Sequence, residues 1–256
     1  MKYVIASYTS TGINRECNQD NFYIGKSNKR KFPAVLAVLC DGMGGYSQGE
    51  VASEIAIESF TDWFIKKQAV EKKSPDLNGI TEEWKDLVVS VNNKIYFQSQ
   101  KQNQKMGTTL SALLILKNQY IAVHVGDTRI YRINQKVRQI TEDHTVVAKE
   151  VMEGKITQEQ ANNDRRRNLL TRSLGVLPVV KPQIIAGKVE KQDGFLMCSD
   201  GFWHKVKESE MITLLDDKKH MERNLESLGK ALRERKEKDD VSAIIIAQNK
   251  CALFLR

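Results

Sequence analysis

Paired cysteines are missing from this chain. Cys17, Cys40, Cys198 and Cys251 are scattered, and no two form a C-x-x-C. That spacing excludes a zinc ribbon and a disulfide framework, and Cys40 and Cys198, inside apolar runs, read as small core residues. Proline is scarce, at four residues, and none marks a boundary; repeats, low-complexity tracts and flexible linkers are absent. A single domain over residues 1–256 is the simplest expectation. Long apolar runs are lacking too. The longest, Ala34–Cys40, falls far short of a membrane span, and the patch in Met1–Ala6 is too short for a signal segment. A soluble, cytoplasmic protein with no membrane partner is expected. His124, His144, His204 and His220 form no H-x-x-x-H or similar pair, so each reads as structural.

The composition is 41% apolar over 256 residues, enough for a real core. Net charge is +8, with basic clusters at Lys29–Lys31, Arg165–Arg167 and Arg233–Lys238. No aromatic residues interleave with them, and the last alternates with Glu234 and Glu237, so solvated faces are favoured over a nucleic-acid surface. A milder functional reading is attraction of anionic substrates such as phosphopeptides.

Strands are predicted at KYVIASY, FYIG, AVLAVLC, TLSALLIL, QYIAVHV, RIYRIN, KVRQI, QIIAGKV, FLMCSD and VSAIIIA. The four from TLSALLIL to KVRQI read as one antiparallel meander, with turns at Lys117-Asn118 and Asn134-Gln135. A helix is predicted over about 48–66, with Val51, Ile55, Phe60, Trp63 and Phe64 as its apolar face and Ser47 and Glu50 as a capping box. A second spans about 80–100, with Trp84, Leu87, Val88, Val91, Ile95 and Tyr96 as its stripe. Residues 144–172 read as short polar helical segments, and further helices are predicted near 208–215 and 220–236. Strands in runs with helices in pairs between them imply an α+β class with mainly antiparallel sheets.

The stretch LCDGMGGYSQGE (39–50) carries two incompatible chemistries. From Gly45 it spells the Gly-x-Ser-x-Gly of a serine hydrolase elbow. Five residues separate the strand from Tyr46-Ser47, however, whereas an elbow turns directly off its strand, and Ser47 suits a helix N-cap. DGMGG matches neither G-x-G-x-x-G nor a P-loop. The other reading starts at Asp41. Asp20, Asp41, Asp200 and Asp239 each lie at a strand boundary, and Asp41-Gly42, Gly126-Asp127 and Asp200-Gly201 sit beside glycines. Each alone is ordinary turn chemistry. Together, converging like charges need a cation between them or must protonate. An all-oxygen set selects Mg²⁺ or Mn²⁺, and two such ions would activate a bridging water for attack on a phosphate ester. Spacing alone leaves both possibilities open.

The motifs then assemble. RECNQD (15–20), AVLCDGMGG (37–45), MGTTLSALLI (106–115), HVGDTRIYR (124–132), ITEDHTVV (140–147), LLTRSLG (169–175), LMCSDGFW (196–203) and DDVSAIII (239–246) occur in the order of the metal-dependent serine/threonine protein phosphatases. The sequence resembles that type 2C family, in particular its compact bacterial members, over about residues 9–247. The resemblance implies an α-β-β-α fold: two antiparallel β-sheets packed as a sandwich, flanked on each side by antiparallel helices. It implies hydrolysis of phosphoserine and phosphothreonine in proteins by a water bridging two Mn²⁺ or Mg²⁺ ions, with a third, weaker ion. Asp41 would bridge both ions, the Gly42 carbonyl would bind one, and Asp200 and Asp239 the other. Asp20 would hold ion-bound water. Arg15 would grip the substrate phosphate with its planar fork. Asp127 and Asp200 would make the third site, and residues 145–172 a flap beside it. Partners would be phosphorylated proteins, including a cognate kinase and its substrates, with the chain acting as a monomer. Two departures stand out. Met43 replaces the histidine of many eukaryotic members. Asp240 replaces a frequent asparagine, and its charge is expected to raise metal affinity slightly. The alternatives are a catalytically silent scaffold of the same family and a serine hydrolase using Ser47.

Overall fold

Alternation along the apolar strands decides the layers. A computed structural model describes residues 3–13, 15–30, 32–43, 48–70 and 76–248. Its strands are β1 (Tyr3–Ser10), β2 (Asp20–Lys29), β3 (Phe32–Met43), β4 (Gly107–Thr108), β5 (Leu110–Leu116), β6 (Gln119–Val125), β7 (Arg129–Ile133), β8 (Val137–Gln139), β9 (Gln183–Lys188), β10 (Gly194–Cys198) and β11 (Val241–Gln248). Its helices are α1 (Gly49–Val70), α2 (Leu77–Gln102), α3 (Val146–Met152), α4 (Gln158–Asn163), α5 (Asp200–Trp203), α6 (Glu208–Thr213) and α7 (Met221–Glu234). One sheet runs β1-β11-β10-β7-β8 and the other β2-β3-β5-β6-β9, with β4 beside β3. Every pairing is antiparallel.

In β3, Leu36, Val38 and Cys40 pack with α1 and α2, while Val35, Ala37 and Leu39 face the other sheet. In β11, Ala243, Ile245 and Ala247 pack with α6 and α7, and Ile244 and Ile246 face inward. Each central strand is apolar on both faces because each face is covered. This is the α-β-β-α sandwich that the resemblance implies, and it agrees with the α+β class read from the order of elements.

Two expectations need correcting. The meander is split: β5 and β6 pair in one sheet, β7 and β8 in the other. The predicted turns hold at Lys117-Asn118 and Asn134-Gln135, but residues 126–128 carry the chain from sheet to sheet. The core face of α1 also differs. Ala52, Ser53, Ala56, Phe60 and Phe64 are buried, while Val51, Ile55 and Trp63 flank them. Small residues let α1 lie close to β3, and the larger apolar residues reach in from the sides. On α2, Trp84, Val88, Val91 and Ile95 are buried as expected, joined by Asn92. The Asn92 side chain accepts from the Gly175 N–H and donates to the Leu177 carbonyl. Ser47, as cap or as nucleophile, lies outside the described residues, as do Gly44, Gly45 and Cys251.

Candidate active site

Asp20 and Asp41 stand opposite each other across the β2–β3 pair, so their side chains leave the sheet on the same side. That side is the sandwich interior. Asp41 continues the inward row Val35, Ala37, Leu39, and Asp20 continues Ile24, Phe22. The apolar filling gives way to carboxylates where the two sheets open at one mouth.

The loop and strand around Asp41 hold it rigidly. Its N–H donates to Thr109 Oγ1 (2.9 Å), and its carbonyl accepts from the Thr109 N–H (2.9 Å) and Thr108 Oγ1 (3.0 Å). This explains the two threonines of MGTTL. Gly42 follows because α1 begins against it: a Cβ there would meet the Gly49 carbonyl oxygen at 2.3 Å. Its N–H donates to the Gln19 carbonyl (3.1 Å). Met43 pairs with Gly107 of β4.

The opposite sheet supplies Ser199 and Ser242, which continue the inward rows of β10 and β11 and bond each other through Ser242 N–H to Ser199 Oγ (2.9 Å). Burial pushes the Asp20 carboxyl up to about 7; the Ser242 and Ser199 hydroxyls oppose this, and Asp240 and Asp200 reinforce it. Neither oxygen of Asp20 has a well-aligned hydrogen bond among the described residues. The nearby hydroxyls therefore soften its burial without satisfying it.

Asp200 is placed differently from the sequence reading. The strand ends at Cys198, and Asp200 is the first residue of α5, aimed into the mouth from a helix start. Burial and the charge of Asp239 raise its carboxyl to about 7 against the Gly201 N–H. His204 Nδ1 lies 3.9 Å from Asp200. Burial, with Arg167 and Arg129 nearby, lowers this histidine to about 4, so the imidazole is neutral and the contact is no ion pair at neutral pH.

Asp127 sits on the crossing between sheets, 5% exposed. Burial, then Asp200 and Asp143, holds its carboxyl well above the usual range. The crossing requires Gly126, with φ +115° and a missing Cβ that would otherwise strike Thr109. Two histidines lock it. His124 Nε2 faces the Gly126 and Glu142 carbonyls (3.0 and 3.1 Å) while Nδ1 meets Ser111 Oγ (2.9 Å). His144 Nδ1 accepts from the Gly126 N–H (3.1 Å). Burial lowers His124 to about 4 and His144 to about 3, which keeps both neutral and structural, as expected.

Asp239 and Arg15 come together across 224 residues of sequence, Nη2 to Oδ1 at 2.5 Å. Partial burial opposes the Arg15 charge, but Asp239, Asp240 and Asp41 outweigh it and raise the guanidinium above its ordinary range. Asp240 is the residue whose role the sequence did not disclose. Its Oδ1 accepts from the Gly12 N–H (2.9 Å) and its Oδ2 from the Gln19 N–H (2.8 Å). Its two oxygens fix both ends of the loop that carries Arg15, which is a structural job, and its charge still acts on Arg15 and Asp20.

Asp41 is the common neighbour. Burial raises its carboxyl well above the usual range, and Asp20, Asp200, Asp127 and Asp239 all add to the rise. Among the described residues no three carboxylates, imidazoles or thiolates converge to metal-binding distance. Like charges spread, and Asp239 turns to Arg15. The set still fits hard divalent ions: all donors are oxygens, Asp20 has two unsatisfied buried ones, and the mutual repulsion is of the kind a cation relieves.

Comparison with known proteins agrees with this architecture. The "Protein phosphatase 2C" family profile matches residues 9–244. The serine/threonine phosphatase stp of Listeria innocua is 31% identical over 245 residues, 94% of each chain. The crystal structure of the serine/threonine phosphatase Stp1 from Staphylococcus aureus superposes with a TM-score of 0.85 at 30% identity, covering 97% of this chain and 96% of that one. The catalytic domain of the phosphatase PstP, described in complex with two manganese ions, superposes with a TM-score of 0.78 at 28% identity, covering 96% and 97%. From the carboxylate mouth between two antiparallel sheets to the profile spanning nearly its whole length, the chain belongs to the protein phosphatase 2C family.

Proposed function

We propose that this protein serine/threonine phosphatase uses two Mn²⁺ or Mg²⁺ ions, held at the sandwich mouth, to hydrolyse phosphoserine and phosphothreonine in proteins. One observation carries the reading: Asp20, Asp41, Asp127, Asp200 and Asp239 reach one mouth from both sheets, and burial with mutual repulsion raises four of them. In this reading Asp41 would be shared by both ions, the Gly42 carbonyl would hold one, and Asp200 and Asp239 would hold the other. Asp20 supports them from behind, and Asp127 with Asp200 takes a third, weaker ion. When bound, the ions activate water and offset the phosphate charge. Arg15 orients the phosphate. Met43 cannot donate a proton, so another group protonates the leaving serine or threonine oxygen. The whole chain serves as one catalytic domain, with residues 145–172 as its flap. It acts as a cytoplasmic monomer on phosphorylated proteins, a cognate kinase and its substrates among them. Among the described residues no helix is long and apolar enough to cross a membrane. The test is hydrolysis of p-nitrophenyl phosphate and a phosphothreonine peptide: activity with Mn²⁺, lost in EDTA and restored by Mn²⁺. A folded protein inert under all these conditions would favour the silent scaffold.

Metal binding should release protons. Asp20 and Asp200 are raised to about 7, so near pH 6 each is largely protonated, and a cation must displace those protons. Near pH 8 they are mostly ionised already. Mn²⁺ affinity is therefore expected to rise from about pH 6 to about pH 8, with fewer protons released at the higher value. Calorimetry in buffers of different ionisation enthalpy reads the proton count directly. Binding that releases no protons at about pH 6 would remove these carboxylates from the ion site.

Arg15→Ala is expected to lower kcat/KM for a phosphopeptide about ten- to a hundredfold, the loss of about 1.5–3 kcal/mol of charged hydrogen bonding. Arg15→Lys should recover part of this, because an ammonium lacks the bidentate fork. Unchanged kinetics in both would take Arg15 out of phosphate binding.

A further inference from the structure

We propose that a basic groove beside Arg15 binds a second anionic group on the phosphoprotein substrate, a carboxylate or another phosphate flanking the one that is hydrolysed. Two basic clusters that are remote in sequence meet there. Arg167, from the flap, joins Lys236 and Lys238, from the turn before β11, and Lys205, from the turn after α5, around a depression of about 490 Å³ whose wall includes Arg15 and Asp239. The inference rests on the phosphatase reading, since it places the groove next to the residue that grips the scissile phosphate.

The convergence of cations from separate segments on one depression beside Arg15 separates this groove from an ordinary solvated face. Within the same clusters, two cations outside the groove are neutralised, while Arg165 and Arg233 have no carboxylate partner among the described residues and Arg233 donates to the Ser10 hydroxyl. Arg166 pairs with Glu150 and Asp164, and Arg235 pairs with Glu210. The four that line the groove, Arg167, Lys205, Lys236 and Lys238, have no carboxylate within ion-pair distance among the described residues. Two acids do reach the wall, and both are engaged. Asp239 is taken by Arg15. One oxygen of Glu237 accepts the N–H groups of Lys238 and Asp239 (2.8 and 3.1 Å). The cations are also held by backbone geometry. Lys236 adopts φ +59° at the end of α7, and the Glu237 N–H returns to the Leu232 carbonyl (3.1 Å), which closes the helix and fixes the turn leading to Asp239.

Four unpaired cations around a solvent-filled depression raise the local concentration of anions and lower the free energy of a bound one. No aromatic residue lines the groove, so it lacks the stacking platform of a single-stranded nucleic-acid channel. On the flap side Asn168, which donates to Asp200 at 3.4 Å, connects the groove to the carboxylate mouth. An occupant of the groove is thus continuous with the chain that carries the scissile phosphate.

The experiment compares three phosphothreonine peptides with neutral flanks, with acidic flanks, and with a second phosphorylated residue. Each is assayed with Mn²⁺-loaded wild type and with the Arg167→Gln/Lys205→Gln/Lys236→Asn variant, where asparagine tolerates the left-handed backbone. Wild type is expected to show kcat/KM about tenfold higher for the anionic peptides, the sum of several exposed ion pairs, and the advantage should shrink with added salt. The variant should lose the preference and keep its turnover of p-nitrophenyl phosphate. Whichever anionic peptide gains more identifies carboxylate or phosphate as the preferred group. Equal rates on all three peptides in wild type would overturn the groove and leave the phosphatase reading intact, whereas no Mn²⁺-dependent hydrolysis of any substrate would sink both. A preference retained by the variant, or a variant that also loses p-nitrophenyl phosphate turnover, counts against the proposal. An oligonucleotide bound at the same salt, with no preference among peptides, would reassign the groove to nucleic acid.

Discussion

Asp41→Asn is expected to reduce kcat/KM for a phosphopeptide by a thousandfold or more at saturating Mn²⁺, about 4 kcal/mol of transition-state stabilisation, while the protein stays folded. Asp41 is half-buried at the end of an inward row. Asp20, Asp200, Asp127 and Asp239 all press on its charge. By contrast, Asp200 feels chiefly Asp239, and Asp127 feels chiefly Asp200 and Asp143. The residue that shares a field with all the others is the one that can be common to two ions. Asparagine keeps the shape and leaves the backbone bonds to Thr108 and Thr109 in place. It also removes a carboxylate from a crowd of like charges, so the thermal midpoint in EDTA should not fall and is expected to rise. Loss of function with gain of metal-free stability is the signature of a site assembled against its own repulsion. Activity above a tenth of wild type, or inactivity caused by unfolding, would contradict this role.

The carboxylates of this mouth stood out in the sequence because they sit at the ends of regular elements, but spacing alone left their chemistry open, and the roles proposed for them come from the resemblance of eight ordered motifs to the type 2C family. Asp41 ends a run that is apolar on both faces, so the strand was legible, while its inward face and the register that sets Asp20 opposite Asp41 are fixed only by the fold. What stayed hidden was set at long range. The 126–128 link reads as a turn between neighbouring strands, since β6 and β7 alternate in the same way whichever sheet they join. The pairing of β6 with β5 and β9, and of β7 with β10 and β8, shows that the chain changes sheet there. α5 has four residues, too few for a helical period, so Asp200 looked like a strand end. On α1 the apolar pattern pointed to Val51, Ile55 and Trp63, but close approach to β3 selected Ala52, Ser53 and Ala56. The groove cations were visible as clusters, while their lack of partners depends on which acids the fold brings near.

Asp240 presents the sharpest contrast between a legible residue and an illegible role, and Asp240→Ala should have the second-largest effect. Its two carboxylate oxygens each accept one buried backbone N–H, from Gly12 and from Gln19, across 228 and 221 residues. Alanine would leave both donors without an acceptor, at about 1–3 kcal/mol each. A stability loss of about 2–5 kcal/mol in denaturant melts is therefore expected. Asparagine, the residue common in the family, offers one acceptor oxygen and would set its NH₂ against the other N–H, so Asp240→Asn should lose roughly half as much. The functional consequence runs through the loop. Gln19 links three elements: its carbonyl accepts from the Gly42 N–H (3.1 Å) and from Ser53 Oγ (2.9 Å). Releasing its N–H loosens the segment that aims Arg15. The cost of Arg15→Ala on kcat/KM, about ten- to a hundredfold alone, should then shrink in the Asp240→Ala background, because an unaimed guanidinium contributes little. Activity on p-nitrophenyl phosphate and on phosphopeptide across all four proteins of this cycle provides the coupling. Fully additive losses would mean that Asp240 only stabilises the fold, and an unchanged melting profile would mean that the two amides find water instead.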